Sequence, residues 1–165
     1  MSDTTATDVV VVGAGTAGCY AAVTVAAAGA SVVVLERKSA AEAGHIACGD
    51  ALKGADKFPD AIPKTQIAPA FTNTAVDHGR FEIPKEETVL EIPVPGELAV
   101  IDRDAFGRLL IDGAEGAGAR FEYDTVVQSV EQDASGQVTG VKTTRDGAPH
   151  SYTAEVVIDA AGAMS

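Results

Sequence analysis

Residues 8–38 decide the fold, and they read DVVVVGAGTAGCYAAVTVAAAGASVVVLERK. The first apolar run is continuous and β-branched, which is typical of a central parallel strand covered on both faces. It leads directly into residues 13–18, GAGTAG, which fit the pattern G-x-G-x-x-G. In that pattern Gly13 allows a tight turn, Gly15 lets the backbone approach a pyrophosphate, and Gly18 lets the helix lie close to the sheet. The stretch therefore predicts a β-α-β unit that binds a dinucleotide.

The helix of this unit begins at the glycine-rich turn. Its small residues predict a helix over Ala17–Ala28, with Gly29 at its end and a second strand over Ser31–Leu35. Free backbone N–H groups at the start of the helix, with the positive end of its dipole, attract an anion without a lysine. The candidate cofactor-binding residues of the turn are Gly13, Ala14, Gly15, Thr16, Ala17 and Gly18.

Glu36 closes the second strand. It follows Gly18 by 18 residues, close to the spacing at which an acid accepts hydrogen bonds from the adenosine ribose. An acid there repels a 2′-phosphate, which favours FAD or NAD over NADP, although Arg37 and Lys38 follow at once. The alternative is a flavodoxin-like or other α/β domain whose glycines serve only tight packing, and it leaves Glu36 without a role.

Composition excludes several classes of protein. The 12 basic and 24 acidic residues give a formal charge of −12, which argues against binding nucleic acid through its phosphates. A hydrophobic content of 46% over 165 residues predicts one domain with a buried core. Neither a disulfide framework nor a metal site is predicted, because the cysteines and histidines are scattered; they are Cys19, Cys48, His45, His78 and His150.

The uncharged stretch from Val9 to Leu35 is long enough to span a bilayer. Its glycines and alanines are only weakly apolar, and its valine blocks have the length of strands, so we predict no transmembrane segment. The N-terminus carries acids where a secretory signal carries bases. We therefore expect a cytoplasmic protein.

Residues 39–70 form a long segment punctuated by glycine and proline. Loops of this length are usually functional or disordered. Within it, Cys48 stands beside Gly49, a pair that could bring backbone and sulfur close to a planar ligand. The alternative, which the residues alone favour, is a small buried side chain followed by a turn.

Short alternating pieces predict β-structure over residues 71–101, with a turn at Pro95-Gly96 and edge strands at the prolines. Asp102 is the predicted N-cap of a helix over 102–117. Arg103 lies in its first turn, where a cation gains nothing from the dipole. A ligand phosphate, a carboxylate partner or simple solvation would each explain it. Residues 120–159 predict a β-meander with strands over 120–130, 137–144 and 151–158.

These pieces, in this order, resemble the N-terminal part of a flavoprotein of the geranylgeranyl reductase family, within the p-hydroxybenzoate hydroxylase-like group. The resemblance covers essentially all 165 residues. It is carried by VVGAGTAG at 11–18, LERK at 35–38, CGDA at 48–51, IDRDAF at 101–106, GA at 118–119 and VIDAAGAMS at 157–165. It implies an α/β, Rossmann-like FAD/NAD(P)-binding fold with a parallel sheet and an antiparallel β-meander. Residues 1–165 would be an incomplete FAD-binding domain.

The resemblance also implies a cofactor site for FAD. Gly18 would lie at the pyrophosphate, Glu36 on the ribose, and the backbone of Val127 at the adenine. Cys48 would lie beside the flavin and is the candidate catalytic residue. Many members of the larger group have Asp-Gly where this chain has Ala161-Gly162, so one polar contact to the cofactor is missing. The implied binding residues outside the glycine turn are Glu36, Arg37, Cys48, Gly49, Ala51, Arg103, Val127 and Gly162.

The reaction implied by the resemblance is delivery of hydride from reduced flavin to isoprenoid double bonds of a prenyl lipid. NAD or NADP would enter only as a reductant. A second chain or self-association would complete the fold, because a full member is more than twice as long. Two alternatives remain: a flavin-dependent aromatic hydroxylase of the same fold, and a non-catalytic dinucleotide-binding module.

Overall fold

The computed structural model describes residues 3–45, 51–53, 58–86 and 88–162. Within these ranges, helices occur in three places and strands make up most of the remainder. The strands are β1 (Asp3–Ala6), β2 (Val9–Val12), β3 (Val32–Leu35), β4 (Ala51–Lys53), β5 (Phe71–Ile83), β6 (Thr88–Ile101), β7 (Arg120–Glu122), β8 (Thr125–Gln132), β9 (Val138–Arg145), β10 (Ala148–Thr153) and β11 (Val156–Asp159). The helices are α1 (Thr16–Ala27), α2 (Lys64–Ile67) and α3 (Arg103–Gly116), with a 3-10 turn at Ala68–Ala70.

A four-stranded parallel sheet lies at the centre, in the order β11-β2-β3-β7. Its middle strands are valine-rich because both faces are covered, and successive side chains point to opposite faces. One face packs against α1 and α3 through Val9, Val11, Val32 and Val34. The other packs against a second sheet through Val10, Val33 and Leu35.

The second sheet has the order β1-β10-β9-β8. Its strands β8, β9 and β10 are antiparallel, and β1 adds to β10 in parallel. Val141 and Tyr152 fill the space between the two sheets. At one edge, Glu122 of β7 pairs with Arg145 of β9 and, at 3.3 Å, with Arg120. The molecule is thus layered as helices, parallel sheet and antiparallel sheet.

The third sheet consists of β5 and β6 with the short β4, in the order β4-β6-β5. It is joined to the helical layer through α3. Asp102 caps α3 as predicted, because its Oδ1 accepts a hydrogen bond from the backbone N–H of Ala105 at 3.0 Å. The buried side of α3 then presents Phe106, Leu110 and Ala114 to the core.

The β-α-β unit is confirmed, with α1 and both strands within a residue of the predicted bounds. The β-meander is present as β8, β9 and β10 but is shorter than the predicted 120–159. β7 and β11 instead join the parallel sheet, beside β3 and β2. Local alternation indicates a strand but not its partner, and both partners lie more than 80 residues earlier in the chain.

Three other local predictions differ from the structure. β1 was not expected, because its polar residues form a strand only by pairing with β10. The predicted turn at Pro95-Gly96 lies inside β6, which is continuous. The segment 39–70 contains β4, α2 and the 3-10 turn. Pro93 does lie at an edge, since it pairs with His78 where β4 does not reach.

Candidate functional site

The glycine-rich turn is held between two strands. The backbone N–H of Gly13 donates to the carbonyl of Leu35 at 2.8 Å, at the end of β3. Gly13 has a φ of +97°, and a Cβ there would lie 2.8 Å from the carbonyl oxygen of Ala160, just after β11. Both the backbone conformation and the lack of space therefore require glycine at this position.

Gly18 and Gly15 differ in what surrounds them. A Cβ on Gly18 would lie 1.9 Å from the carbonyl oxygen of Gly13, so α1 can approach the turn this closely only with glycine there. A Cβ on Gly15 would meet nothing within 4 Å. Gly15 is the N-cap of α1 and has no side chain that could cap the helix. The first helical hydrogen bond runs from the N–H of Cys19 to the carbonyl of Gly15. The N–H groups of Thr16 and Ala17 therefore have no acceptor within the helix. This open space at a helix N-terminus suits an anion.

Glu36 is buried and ties the turn to the second strand. Its Oε2 accepts a hydrogen bond from the N–H of Ala14, and its Oε1 accepts one from the N–H of Lys38, both at 2.8 Å. Only 8% of Glu36 is exposed. Each carboxylate oxygen has a second lone pair, so the side chain can still accept from a ligand hydroxyl. Glu36 therefore shapes the turn and also lines the space beside it.

A cavity of about 460 Å³ opens beside the turn. It brings together Gly13, Glu36, Arg37 and Val127, four of the residues predicted for the cofactor site. The complete lining is Val12, Gly13, Leu35, Glu36, Arg37, Thr125, Val126, Val127, Gln128, Ser129, Val130, Val141, Val157, Asp159 and Ala161. The near wall is the β-α-β unit, and the far wall comes from β8, β11 and the residue Ala161 after it.

The far wall includes residues that sequence analysis missed. In β8, Val127 pairs with Thr143 and Ser129 pairs with Lys142, so Gln128 is the extra residue of a bulge. Because β8 is at the edge of its sheet, this irregular backbone borders the cavity. Asp159 closes a short turn by accepting from the N–H of Ala161 at 3.0 Å. An acid at the end of the last strand was the available signal for Asp159, whereas no local pattern marks the bulge.

Other predicted residues that the structure describes do not line this cavity: Ala14, Gly15, Thr16, Ala17, Gly18, Ala51 and Gly162. Ala51 is exposed in β4, opposite Val100. Gly162 is exposed and follows the cavity residue Ala161. Cys48 and Gly49 lie outside the described residues. Their predicted roles beside the flavin stay predictions.

Arg103 begins α3 and lies 6.0 Å from the ring centroid of Phe106. Phe106 packs on Phe58 at 5.3 Å, and Phe58 stacks on Tyr20 of α1 at 6.1 Å. The aromatic cluster thus joins the start of α3 to the second turn of α1. Arg103 lies on that side of the helical layer and does not line the cavity.

Cys19 lies underneath the turn. Its Sγ is 3.5 Å from the carbonyl oxygen of Ala14, and the side chain is fully buried. Burial raises the pKa of the Cys19 thiol to about 12, and the negative charge of Glu36 adds to the rise. The thiol is therefore protonated at neutral pH, the form that is a poor nucleophile. Within the described ranges, no group of three or more His, Cys, Asp or Glu side chains is arranged to hold a metal ion.

Comparison with known proteins identifies the family of this chain. Residues 8–163 match the model of the family described as FAD dependent oxidoreductase. The chain belongs to that family. FAD is therefore its cofactor.

Two curated relatives carry more specific names. The chain is 33% identical to digeranylgeranylglycerophospholipid reductase 2 of Methanopyrus kandleri, over 96% of the chain and 38% of that protein. It is 32% identical to the digeranylgeranylglycerophospholipid reductase of Haloferax volcanii, over 94% of the chain and 35% of that protein. The chain thus spans well under half the length of these relatives.

Solved structures confirm the Rossmann-like α/β fold. A geranylgeranyl bacteriochlorophyll reductase-like protein from Thermoplasma acidophilum superposes with a TM-score of 0.75 at 26% identity, over 96% of this chain and 40% of that one. The myxobacterial chondrochloren halogenase CndH superposes with a TM-score of 0.76 at 21% identity, over 98% of this chain and 38% of that one. The second likeness concerns the fold alone. No helix among the described residues is long and apolar enough to cross a membrane.

Proposed function

We propose that this chain forms the ADP side of the FAD site in an oxidoreductase that reduces isoprenoid double bonds of prenyl lipids. The observation that carries the proposal is the cavity lined by Gly13 of the glycine turn, Glu36 and the β8 bulge. Relatives named as digeranylgeranylglycerophospholipid reductases support the prenyl-lipid part.

The residues present fit the ADP half of FAD. The open space at Gly15, beside the start of α1, would accommodate the pyrophosphate. The buried carboxylate of Glu36 would accept hydrogen bonds from the ribose hydroxyls. Its negative charge would repel the 2′-phosphate of an NADP-type nucleotide. The exposed backbone of β8 at Val127 would border the adenine. These contacts bind and orient the nucleotide and carry no chemistry of their own.

The chemistry would come from the cofactor: reduced FAD, when bound, would supply a hydride to one alkene carbon, and the other carbon would take a proton. Cys48, Gly49, Ala51 and Arg103 are proposed to lie toward the flavin. The prenyl lipid substrate, the reductant and any second chain belong to the whole enzyme, of which relatives have more than twice this length. For this chain, the substrate, the reductant and the second chain are proposed from its similarity to these relatives.

Gly15→Val tests the nucleotide site directly. The added side chain would enter space that holds no protein atom within 4 Å, and valine tolerates the φ of −75° at this position. We expect a melting temperature lower by only a few degrees, because valine is a poorer N-cap than glycine, and an FAD affinity at least about 100-fold weaker, or ~2.7 kcal/mol. Fluorescence titration of purified chain with FAD measures it.

Gly116→Val is the matched control, because Gly116 ends α3 and a Cβ there also meets open space. It should leave FAD affinity unchanged. Equal affinity of the wild type and Gly15→Val would refute the nucleotide site. The reaction is tested separately, with a complete enzyme that contains this chain. Its FAD, reduced with dithionite, should be reoxidised when a geranylgeranyl lipid is added. An absence of turnover would refute the prenyl-lipid assignment and leave the nucleotide site untouched.

A further inference from the structure

Two consecutive peptide groups of the glycine turn are held by one residue, Cys19. Its Sγ is 3.5 Å from the carbonyl oxygen of Ala14, within reach of a thiol hydrogen bond. Its backbone N–H donates to the carbonyl oxygen of Gly15 at 2.9 Å, which is the first hydrogen bond of α1. Cys19 therefore fixes the carbonyls on both sides of the Cα of Gly15.

Fixing these carbonyls also fixes the direction of two N–H groups. In a trans peptide group the N–H points away from the carbonyl of the same group. Because both carbonyls point to Cys19, the N–H groups of Gly15 and Thr16 point away from it. Neither N–H donates to an acceptor in the described part of the chain, and a Cβ on Gly15 would meet nothing within 4 Å. Both N–H groups can therefore bind an anion in this open space.

The direction of the N–H groups changes at Ala14. The N–H of Gly13 donates to the carbonyl of Leu35, and the N–H of Ala14 donates to Oε2 of Glu36, both at 2.8 Å and both toward the protein. After Ala14 the N–H groups point the other way. Ala14 is thus held on its N–H by Glu36 and on its carbonyl by Cys19.

The thiol is an essential partner for the carbonyl of Ala14. Among the described residues no backbone N–H donates to that oxygen, because the first hydrogen bond of α1 runs from Cys19 to Gly15. Only 2% of Ala14 is exposed, so without the thiol the oxygen would be buried and unpaired. An unpaired buried carbonyl is costly, which favours rotation of the peptide group toward another donor. The N–H of Gly15 would rotate with it.

The thiol is also suited to permanent donation. Burial raises the pKa of Cys19 to about 12, and the negative charge of Glu36 adds to the rise. The sulfur therefore keeps its proton at neutral pH and remains a donor. An alanine or a valine at this position would fill part of the same space but would donate nothing.

We propose that Cys19 is a positioning residue for FAD, which aims the N–H groups of Gly15 and Thr16 at the pyrophosphate by holding the two carbonyls behind them. The inference rests on the proposed nucleotide site and adds to it a side chain that is fully buried beneath the turn. Cys19 acts through Gly15 and Thr16 and does not touch the nucleotide itself.

ADP and adenosine separate this role from general packing. They share the base and the ribose, so the ratio of their affinities isolates the pyrophosphate. NMR titration of the purified, isotope-labelled chain measures both affinities. In Cys19→Ala the ratio should fall at least about tenfold, because misdirected N–H groups lose charge-assisted hydrogen bonds. Adenosine affinity should change less than about twofold, since its contacts lie at Glu36 and β8.

Cys19→Ser tests whether donation is what matters. Serine is also smaller than cysteine, but its hydroxyl donates. The affinity ratio should therefore stay within about threefold of the wild-type ratio. In the wild type, the amide signal of Gly15 should move on addition of ADP and should stay in place with adenosine.

Val23→Ala is the matched control for lost packing. Val23 is buried on the same helix, one turn beyond Cys19. Its truncation should lower the melting temperature and leave the affinity ratio unchanged.

Four results would overturn the positioning role. They are an unchanged ratio in Cys19→Ala, a ratio in Cys19→Ser as low as in Cys19→Ala, an equal fall in Val23→Ala, and an amide signal of Gly15 that ADP does not move. Failure of the proposed function looks different, because a wild-type chain that binds ADP no more tightly than adenosine would refute the pyrophosphate site itself and the positioning role with it.

Discussion

The two walls of the cavity are built by different means. The near wall is local in sequence: Gly13, Gly18 and Glu36 lie within 24 residues and leave no spare space or unpaired carboxylate oxygen. The far wall lies more than 80 residues later in the chain, where the bulged edge strand β8 and the end of β11 line the cavity. We infer that the near wall tolerates little change, whereas the far wall tolerates considerably more.

The largest effect is expected from Gly18→Ala. Its Cβ would lie 1.9 Å from the backbone oxygen of Gly13, which cannot rotate away as a side chain does. We expect the free energy of unfolding to fall by about 3 kcal/mol, measured by urea denaturation. Gly116→Ala, in open space at the end of α3, should instead be neutral or stabilising by up to ~1 kcal/mol. Equal stability of the two variants would contradict the close packing of α1 on the turn.

Glu36→Gln is expected to have the next largest effect. The carboxylate of Glu36 accepts hydrogen bonds from the N–H groups of both Ala14 and Lys38. In glutamine one of the two oxygens is replaced by an NH₂ group, which would face one of these N–H donors and lose its hydrogen bond. The free energy of unfolding should fall by about 2 kcal/mol, with weaker binding of FAD. Glu115→Gln, exposed on α3, is the control for loss of one acidic charge. If both variants unfold at the same urea concentration, Glu36 does not hold the turn.

Cys19 provides a pH-dependent test of the same wall. Its pKa is raised from 9.0 to about 12 in the folded chain, so folding favours the protonated thiol. The resulting stability is complete below pH 9 and is lost as the pH rises from 9 toward 12. Between pH 8 and pH 10 the wild type should lose ~1 kcal/mol more than Cys19→Ala. Chemical denaturation of both proteins at each pH measures the difference, and parallel losses would show that the thiol is not buried.

The smallest effect is expected from Asp159→Asn on the far wall. The amide oxygen of asparagine can replace the carboxylate oxygen that accepts from the N–H of Ala161. The free energy of unfolding should change by less than ~0.5 kcal/mol, whereas Asp159→Ala should cost roughly 1 kcal/mol. A thermal melt of both variants compares them. A large loss in Asp159→Asn would show that the far wall is as demanding as the near one.

The two walls also differ in how far the sequence predicts them. The glycine spacing predicts the near wall almost to the residue: Gly18 is required by its contact with Gly13 in the same β-α-β unit, whereas Gly13 is also required by Ala160, far away in the sequence. Val127 was placed at the cavity only through the family resemblance, since the bulge at Gln128 depends on the register with β9. β7 and β11 were assigned to the meander because a strand's alternation does not reveal a parallel partner far away in the chain. Cys48, the candidate catalytic residue, lies outside the described residues.

Competition binding tests the central claim that this chain holds the ADP half of FAD. FAD is bound to the purified chain, and ADP or FMN is added while flavin fluorescence is followed. ADP should displace FAD and FMN should not, because the cavity is bounded by the glycine turn, Glu36 and β8. Displacement by FMN but not by ADP would contradict the account, as would a chain that binds neither FAD nor ADP.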